Sequence, residues 1–173
     1  MADFPMDDDV VRAVLDPLTG SRPEGTTYSP PTCAPVSMFG GSPQPGPALT
    51  GVIAGQGAGR STFTEAVIAR RPDITAVADH VRRCPSVRQS DGSITLTTAS
   101  AVRDAAQTRA DELLVVEETP DDPLSQQRAL LAYARVGGYA VWVRLRAFQG
   151  EPVDRAQFDR LVAAAVDKVA RTA

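Results

Sequence analysis

Two apolar and aromatic runs, residues 130–136 and 139–148, are separated by the dipeptide Gly137-Gly138. Two glycines between two strand-like runs predict a two-residue β-hairpin, because type I′ turns need φ > 0 where β-branched residues fit badly. The turn dictates the register: Val136 opposite Tyr139, Ala134 opposite Val141, Ala132 opposite Val143 and Leu130 opposite Leu145. All eight are apolar, so one face of this ribbon must be covered, and a one-residue slip would expose it. The alanines on the first strand leave room for a helix to approach closely. The other face carries Tyr133 against Trp142, with Leu131, Arg135, Arg144, Arg146 and Phe148 around them.

The cover is available at the C-terminus. Asp154 followed by Gln157 reads as a capping box, and Phe158, Leu161, Val162, Ala165, Val166 and Val169 make a helical stripe behind it. A second helix is predicted from Asp73, as N-cap, to Arg83, with Ile74, Val77, Ala78 and Val81 on one face. Acidic Asp7, Asp8 and Asp9 ahead of Val10, Val11, Val14 and Leu15 predict a short helix within residues 1–16. Residues 20–48 concentrate proline and glycine and read as irregular structure. Further strands are expected at 51–55, 61–70, 113–116 and on both sides of a turn at Ser90-Asp91-Gly92, with an acidic loop over 117–123. This order predicts a single α+β domain over residues 1–173, an antiparallel twisted sheet with its helices, the C-terminal one included, packed on one face.

At 173 residues the chain can bury a substantial core, and 43% hydrophobic with 23% charged residues is an ordinary globular balance. A net charge of -3 supplies no basic field for nucleic acid or anionic lipid. Lys168 is the one lysine, every other cation being arginine, which with the Ala and Val content points to GC-rich coding. No stretch approaches the ~20 apolar residues of a membrane-spanning helix. No basic-then-apolar leader follows Met1.

Two cysteines, Cys33 in the proline-rich coil and Cys84 at a helix end, can be two unrelated buried thiols or one disulfide. Without CxxC spacing, and with a single histidine, a Cys/His zinc site is not expected. A disulfide would close a loop of about fifty residues, worth ~4 kcal/mol on the chain-entropy view, and would anchor a coil that lacks regular hydrogen bonding. Such bonds persist in oxidising compartments, so the disulfide reading carries an expectation of export.

The order Thr32-Cys33, then a strand through residues 65–69, then Val77-Ala78-Asp79-His80-Val81-Arg82-Arg83-Cys84 resembles a group of mycobacterial and related actinobacterial exported domains. These are the extracellular sensor domains of PknH-type serine/threonine kinases and their lipoprotein relatives, and the resemblance extends through the hairpin and the final helix. It implies an α+β fold, a place outside the cytoplasmic membrane, and a ligand- or partner-binding role without known chemistry. The kinase sensor domains carry a second disulfide for which this chain has no cysteines, so the resemblance leans towards a lipoprotein relative of unknown function. A lipid anchor encoded ahead of Met1 is the corresponding expectation.

Other motifs point to no reaction. In Gly55-Gln56-Gly57-Ala58-Gly59-Arg60-Ser61-Thr62, alanine at 54 and arginine at 60 replace the glycine and lysine that a phosphate loop requires, and the following segment is β-like. The G-x-G-x-G spacing also misses the dinucleotide fingerprint. His80 is the sole histidine, and no G-x-S-x-G elbow accompanies it. Glu117, Glu118, Asp121 and Asp122 match no calcium loop and read as solvated acids. No catalytic residue, cofactor or metal is expected. Tyr133, Trp142, Arg135, Arg144 and Arg146 combine rings with guanidinium groups on what should be the solvated face of the sheet. They read either as cross-strand packing, with arginine stems shielding the rings, or as a binding face for an anionic or sugar-like ligand or a protein. The expected function is therefore a non-catalytic extracytoplasmic binding or sensor-like domain, its partner an unknown ligand or cell-envelope protein. The alternative is a carrier holding an apolar, lipid-like molecule between sheet and helices, which a core filled by Leu130, Val143, Leu161 and Val166 would exclude.

Overall fold

A computed structural model describes residues 18–22, 24–40, 49–56, 60–121 and 127–172. The helix expected within 1–16 and part of the 20–48 coil lie outside these residues. The strands are β1 (Thr27–Ser29), β2 (Leu49–Gln56), β3 (Thr62–Ile68), β4 (Ser86–Ser90), β5 (Thr95–Arg103), β6 (Glu112–Pro120), β7 (Ala129–Val136) and β8 (Tyr139–Arg146). The helices with both ends among the described residues are α1 (Ile74–Arg83) and α2 (Arg155–Ala170), with a 3-10 turn at Pro31–Cys33. All eight strands join one sheet in the order β1-β4-β5-β6-β7-β8-β3-β2, every pairing antiparallel. The domain is α+β, as the order of elements predicts.

The β7–β8 hairpin has the expected register, Val136 opposite Tyr139 through Leu130 opposite Leu145. Its turn differs in one respect. Gly137 has φ +58 while Gly138 is not in the left-handed region, which is the pattern of a type II′ turn rather than I′. Asp111 secures it from the neighbouring strand, its Oδ2 accepting from the Gly137 N–H at 2.8 Å and from Arg135 Nη1 at 3.2 Å. At the other hairpin, Asp91 Oδ1 accepts from the Ser93 and Ile94 amides and the Ser93 hydroxyl. The Ile94 amide is the largest of the influences that hold this exposed carboxyl down at about 2.

Both helices start where the sequence places them. Asp73 Oδ1 accepts from the Ala76 amide and Asp154 Oδ1 from the Gln157 amide, each at 2.9 Å. The capping box at Asp154 is only half formed, since the Gln157 side chain turns away and its Oε1 accepts from Ser61 Oγ at 3.4 Å. The stripe of α2 packs on the face expected for it: Phe158, Val162, Ala165, Val166 and Val169 are buried against Leu130, Ala132, Ala134, Val141, Val143 and Leu145. Each fully buried aliphatic or aromatic side chain of this kind contributes about 1.5–3 kcal/mol relative to exposure.

The expectation that the helices share one face fails for α1. It lies on the opposite face, where Ile74, Val77 and Ala78 pack with Leu114, Val116, Ala129, Leu131, Ala140 and Trp142, and with Leu18, Met38 and Phe39 from the preceding coil. Topology explains this. β3 is seventh in the sheet and β4 second, so the connection between them must cross the central strands, and α1 is that crossing. Ala129–Val136 reads ALLAYARV, apolar at most positions on both sides, as strands covered on two faces are. The acidic stretch also differs from expectation, because β6 continues through Glu117 and Glu118 to Pro120 and is paired with β5 and β7.

Gly137→Val forces a β-branched side chain into a left-handed backbone and should cost about 1–3 kcal/mol. Gly138→Ala, with open space around its Cβ, should melt within a degree or two of the parent. Equal losses at both positions in thermal unfolding would contradict this turn geometry.

Candidate functional site

α1 covers only the middle of its sheet face. Between it and the strands towards β1 remains a cleft of about 390 Å³, within the size range of small-molecule sites. Val77, His80 and Val81 of α1 form one wall, and Val36 and Met38 of the coil form another. The sheet supplies Tyr28, Val87, Thr98, Ser100, Val116, Glu118, Tyr133 and Arg144. Strand alternation explains the selection: Glu118 and Val116 of β6, Tyr133 of β7 and Arg144 of β8 all point to the α1 side.

Cys33 and Cys84 are joined in a disulfide that lines this cleft, their Cα atoms 5.6 Å apart. Cys33 closes the 3-10 turn just after β1, and Cys84 is the C-cap of α1, its amide donating to the His80 carbonyl at 2.9 Å. The bond therefore ties the edge of the sheet and its coil to the crossing helix. The coil is tied again further on, where Met38 N–H donates to Leu18 O and Asp73 N–H to Met38 O.

The five residues of the aromatic and arginine face do share one side of the sheet, but they divide into different environments. Trp142 is a core residue, 2% exposed, roofed by α1, which is the packing alternative for this ring. Tyr133 is partly covered and lines the cleft. Its hydroxyl pKa is raised, first by burial and then by the negative charge of Glu118, with the positive charge of Arg144 acting against both. Arg135 lies at the far end, only 18% of its side chain exposed, held by Asp111 and by Glu112 at 2.8 Å. Arg144 borders the cleft, with Nη2 3.5 Å from Glu118 Oε2. Arg146 lies beyond it and meets Gln127 Oε1 at 3.4 Å. Its pKa is lowered by burial and then by Arg144.

Among the described residues, the buried side-chain polar atoms without a hydrogen-bond partner are Thr26 Oγ1, Arg135 Nε, Trp142 Nε1 and Arg144 Nε. Three of the four are N–H donors on this one sheet face. Buried polar groups are nearly always satisfied, so a concentration of orphaned donors marks a surface short of acceptors.

Other sequence candidates are dispersed. Glu117 and Glu118 point to opposite faces of β6: Glu117 accepts from Arg103 Nε at 2.7 Å on the α2 side, while Glu118 faces the cleft. Asp122 lies outside the described residues. Among those residues no three His, Cys, Asp or Glu side chains converge to hold a metal ion. Residues 57–59 of the glycine-rich stretch lie outside the described residues, and the segment that follows it is strand β3, with Arg60 stacked 5.1 Å from the Phe148 ring centroid. His80 borders the cleft, its pKa lowered by burial and then by Arg83. Sequence reasoning missed the cleft's other residues, Tyr28, Val36 and Val87 among them. The one available signal was the apolar alternate positions of β6, Leu114 and Val116, which require a second cover.

The side of the sheet under α2 is filled. Leu130, Val143 and Val166 are buried together, and Leu161 packs against them. A carrier cavity between the sheet and the C-terminal helix is therefore absent from the described residues.

No family model matches the chain, and no curated protein matches it. Solved structures do share its fold. The extracellular domain of PknH from Mycobacterium tuberculosis aligns over 96% of this chain and 92% of its own, at 18% identity and a TM-score of 0.56. An uncharacterised protein of Mycobacterium smegmatis, the Rv0999 ortholog, aligns over 86% of this chain and 78% of its own, at 19% identity and a TM-score of 0.51. At these identities the likeness is one of fold.

The unreduced native protein should show no titratable thiol, and replacing both cysteines with serine should cost about 2–5 kcal/mol in denaturant unfolding. Two free thiols would contradict the bond. Trp142 is the one tryptophan, so the folded protein should emit at short wavelength and resist iodide quenching until it unfolds. A red-shifted, quenchable signal would place the ring in solvent.

Proposed function

We propose that this chain is an extracytoplasmic, non-catalytic binding or sensor-like domain whose recognition site is the cleft between α1 and the sheet. The observation that carries the reading is the cleft itself, apolar on the helix side, lined on the sheet by Tyr133, Glu118 and Arg144, and braced by the Cys33–Cys84 disulfide. The shared fold with the PknH extracellular domain supports a place outside the cytoplasm, and the disulfide agrees with an oxidising compartment. In this reading the protein is exported and held at the cell envelope by a lipid anchor. It engages a small ligand or the exposed group of an envelope component. The disulfide contributes by keeping the cleft walls in place before binding, which lowers the ordering cost on association.

The test is a screen of envelope-derived small molecules and glycans by NMR on the oxidised protein. Shifts should cluster at Val77, His80, Val116 and Tyr133. Val87→Trp, which extends an indole into the cleft from β4, should abolish them while leaving the melting temperature within a few degrees. Binding that persists in Val87→Trp, or shifts confined to the α2 side, would move the site elsewhere. A fusion to a reporter enzyme that works only outside the cytoplasm tests export.

A further inference from the structure

We infer that the cleft takes an amphipathic anion: a carboxylate or phosphate group bound by Arg144, joined to an apolar tail lying against α1. This rests on the cleft being the recognition site and adds the chemistry of what enters it.

The charge arrangement leads there. On this stretch of the sheet two guanidinium groups, Arg144 and Arg146, face one carboxylate among the described residues, Glu118. Among the described residues Arg146 has no ion pair within 4 Å, and its nearest side-chain acceptor is the neutral Gln127. Arg144 approaches Glu118 only at 3.5 Å through one nitrogen, and its Nε is buried without a partner. Two other arginines of the sheet are served better. Arg135 has two carboxylates, and Arg103 donates to Glu117 at 2.7 Å. An arginine presents its donors as a fork matched to the two oxygens of a carboxylate or phosphate. Arg144 leaves part of its fork open, and it lines the cleft.

The rest of the lining selects the tail. Val36, Met38, Val77, Val81, Val87 and Val116 are apolar, and burying a hydrocarbon chain among them releases water at about 0.8 kcal/mol per methylene. Tyr133 lines the cleft together with Arg144, and its phenol, protonated at neutral pH as tyrosines ordinarily are, can donate to an anion held there.

Octyl phosphate, octanoate, octanol, octylammonium and inorganic phosphate, each below its aggregation limit, separate the contributions in calorimetric titrations of the oxidised protein. Octyl phosphate and octanoate should bind, octanol about tenfold or more weaker, and octylammonium and inorganic phosphate not measurably. Arg144→Gln should weaken octyl phosphate by about tenfold or more and leave octanol unchanged. Arg144→Lys, which keeps charge and stem, should recover part of the loss and serves if the glutamine variant fails to fold. Arg103→Gln, on the other face, should change nothing. Octanol binding as tightly as octyl phosphate, with no effect of Arg144→Gln, would overturn the anion while leaving the cleft as a site. Inorganic phosphate binding as tightly as octyl phosphate would overturn the tail, and octylammonium binding best would hand the role to Glu118. If none of the amphiphiles binds while the envelope screen still maps to the cleft, this inference fails alone. If both are silent, the cleft reading fails with it.

Discussion

β7 lies at the centre of the apolar structure, and covering it on both sides is the constraint from which the rest of the domain follows. Its residues Leu130, Ala132 and Ala134 face α2, while Ala129, Leu131 and Tyr133 face the α1 side. A strand with two apolar sides cannot sit in a sheet with one wet face, because each exposed large side chain would forfeit about 1.5–3 kcal/mol. α2 covers the first side by following β8 directly. The second side is covered because the chain must travel from β3 to β4 across it, and it makes the crossing as a helix with three buried apolar residues.

A ten-residue helix is too short to roof eight strands. α1 spans β5 to β7 and leaves the sheet towards β1 uncovered, and the cleft is what remains between them. The disulfide is set at that boundary. It joins the coil after β1 to the last turn of α1, so the two walls of the cleft cannot separate by local unfolding of the coil. The carboxylates are distributed unevenly among the arginines. Asp111, Glu112 and Glu117 pair with arginines away from the cleft, and among the described residues Glu118 is the carboxylate beside Arg144 and Arg146. A face built only for stability would be expected to pair its buried donors, since each orphan costs about 1–3 kcal/mol.

Much of the fold is legible in the residues taken one element at a time. The Gly137-Gly138 turn and the flanking alternation give the register of the central hairpin, since a two-residue turn leaves only one apolar pairing. Asp73 and Asp154 mark helix starts because a side-chain acceptor is needed by the first-turn amides. An even cysteine count and a coil in need of anchoring offer the disulfide as one of two readings, and the structure forms it between Cys33 and Cys84. Phe158 through Val169 show where α2 must dock. These are local signals, in which period, cap and turn chemistry act within a few residues of each other.

The sequence by itself thus determined most of the described elements and the hairpin register, and offered the cysteine pairing as one of two readings. Only the tertiary structure decided which face of the sheet each helix would cover, and with it the fate of the aromatic and arginine face. Trp142 and Tyr133 stand opposite each other in register, and nothing near them says that one becomes core and the other cleft. That depends on where α1, some sixty residues earlier in the chain, comes to rest. Its resting place follows from strand order, because β3 pairs with β8 and not with β4. Strand order is a competition among non-local pairings whose alternation patterns are alike, and no residue in one strand records its partner.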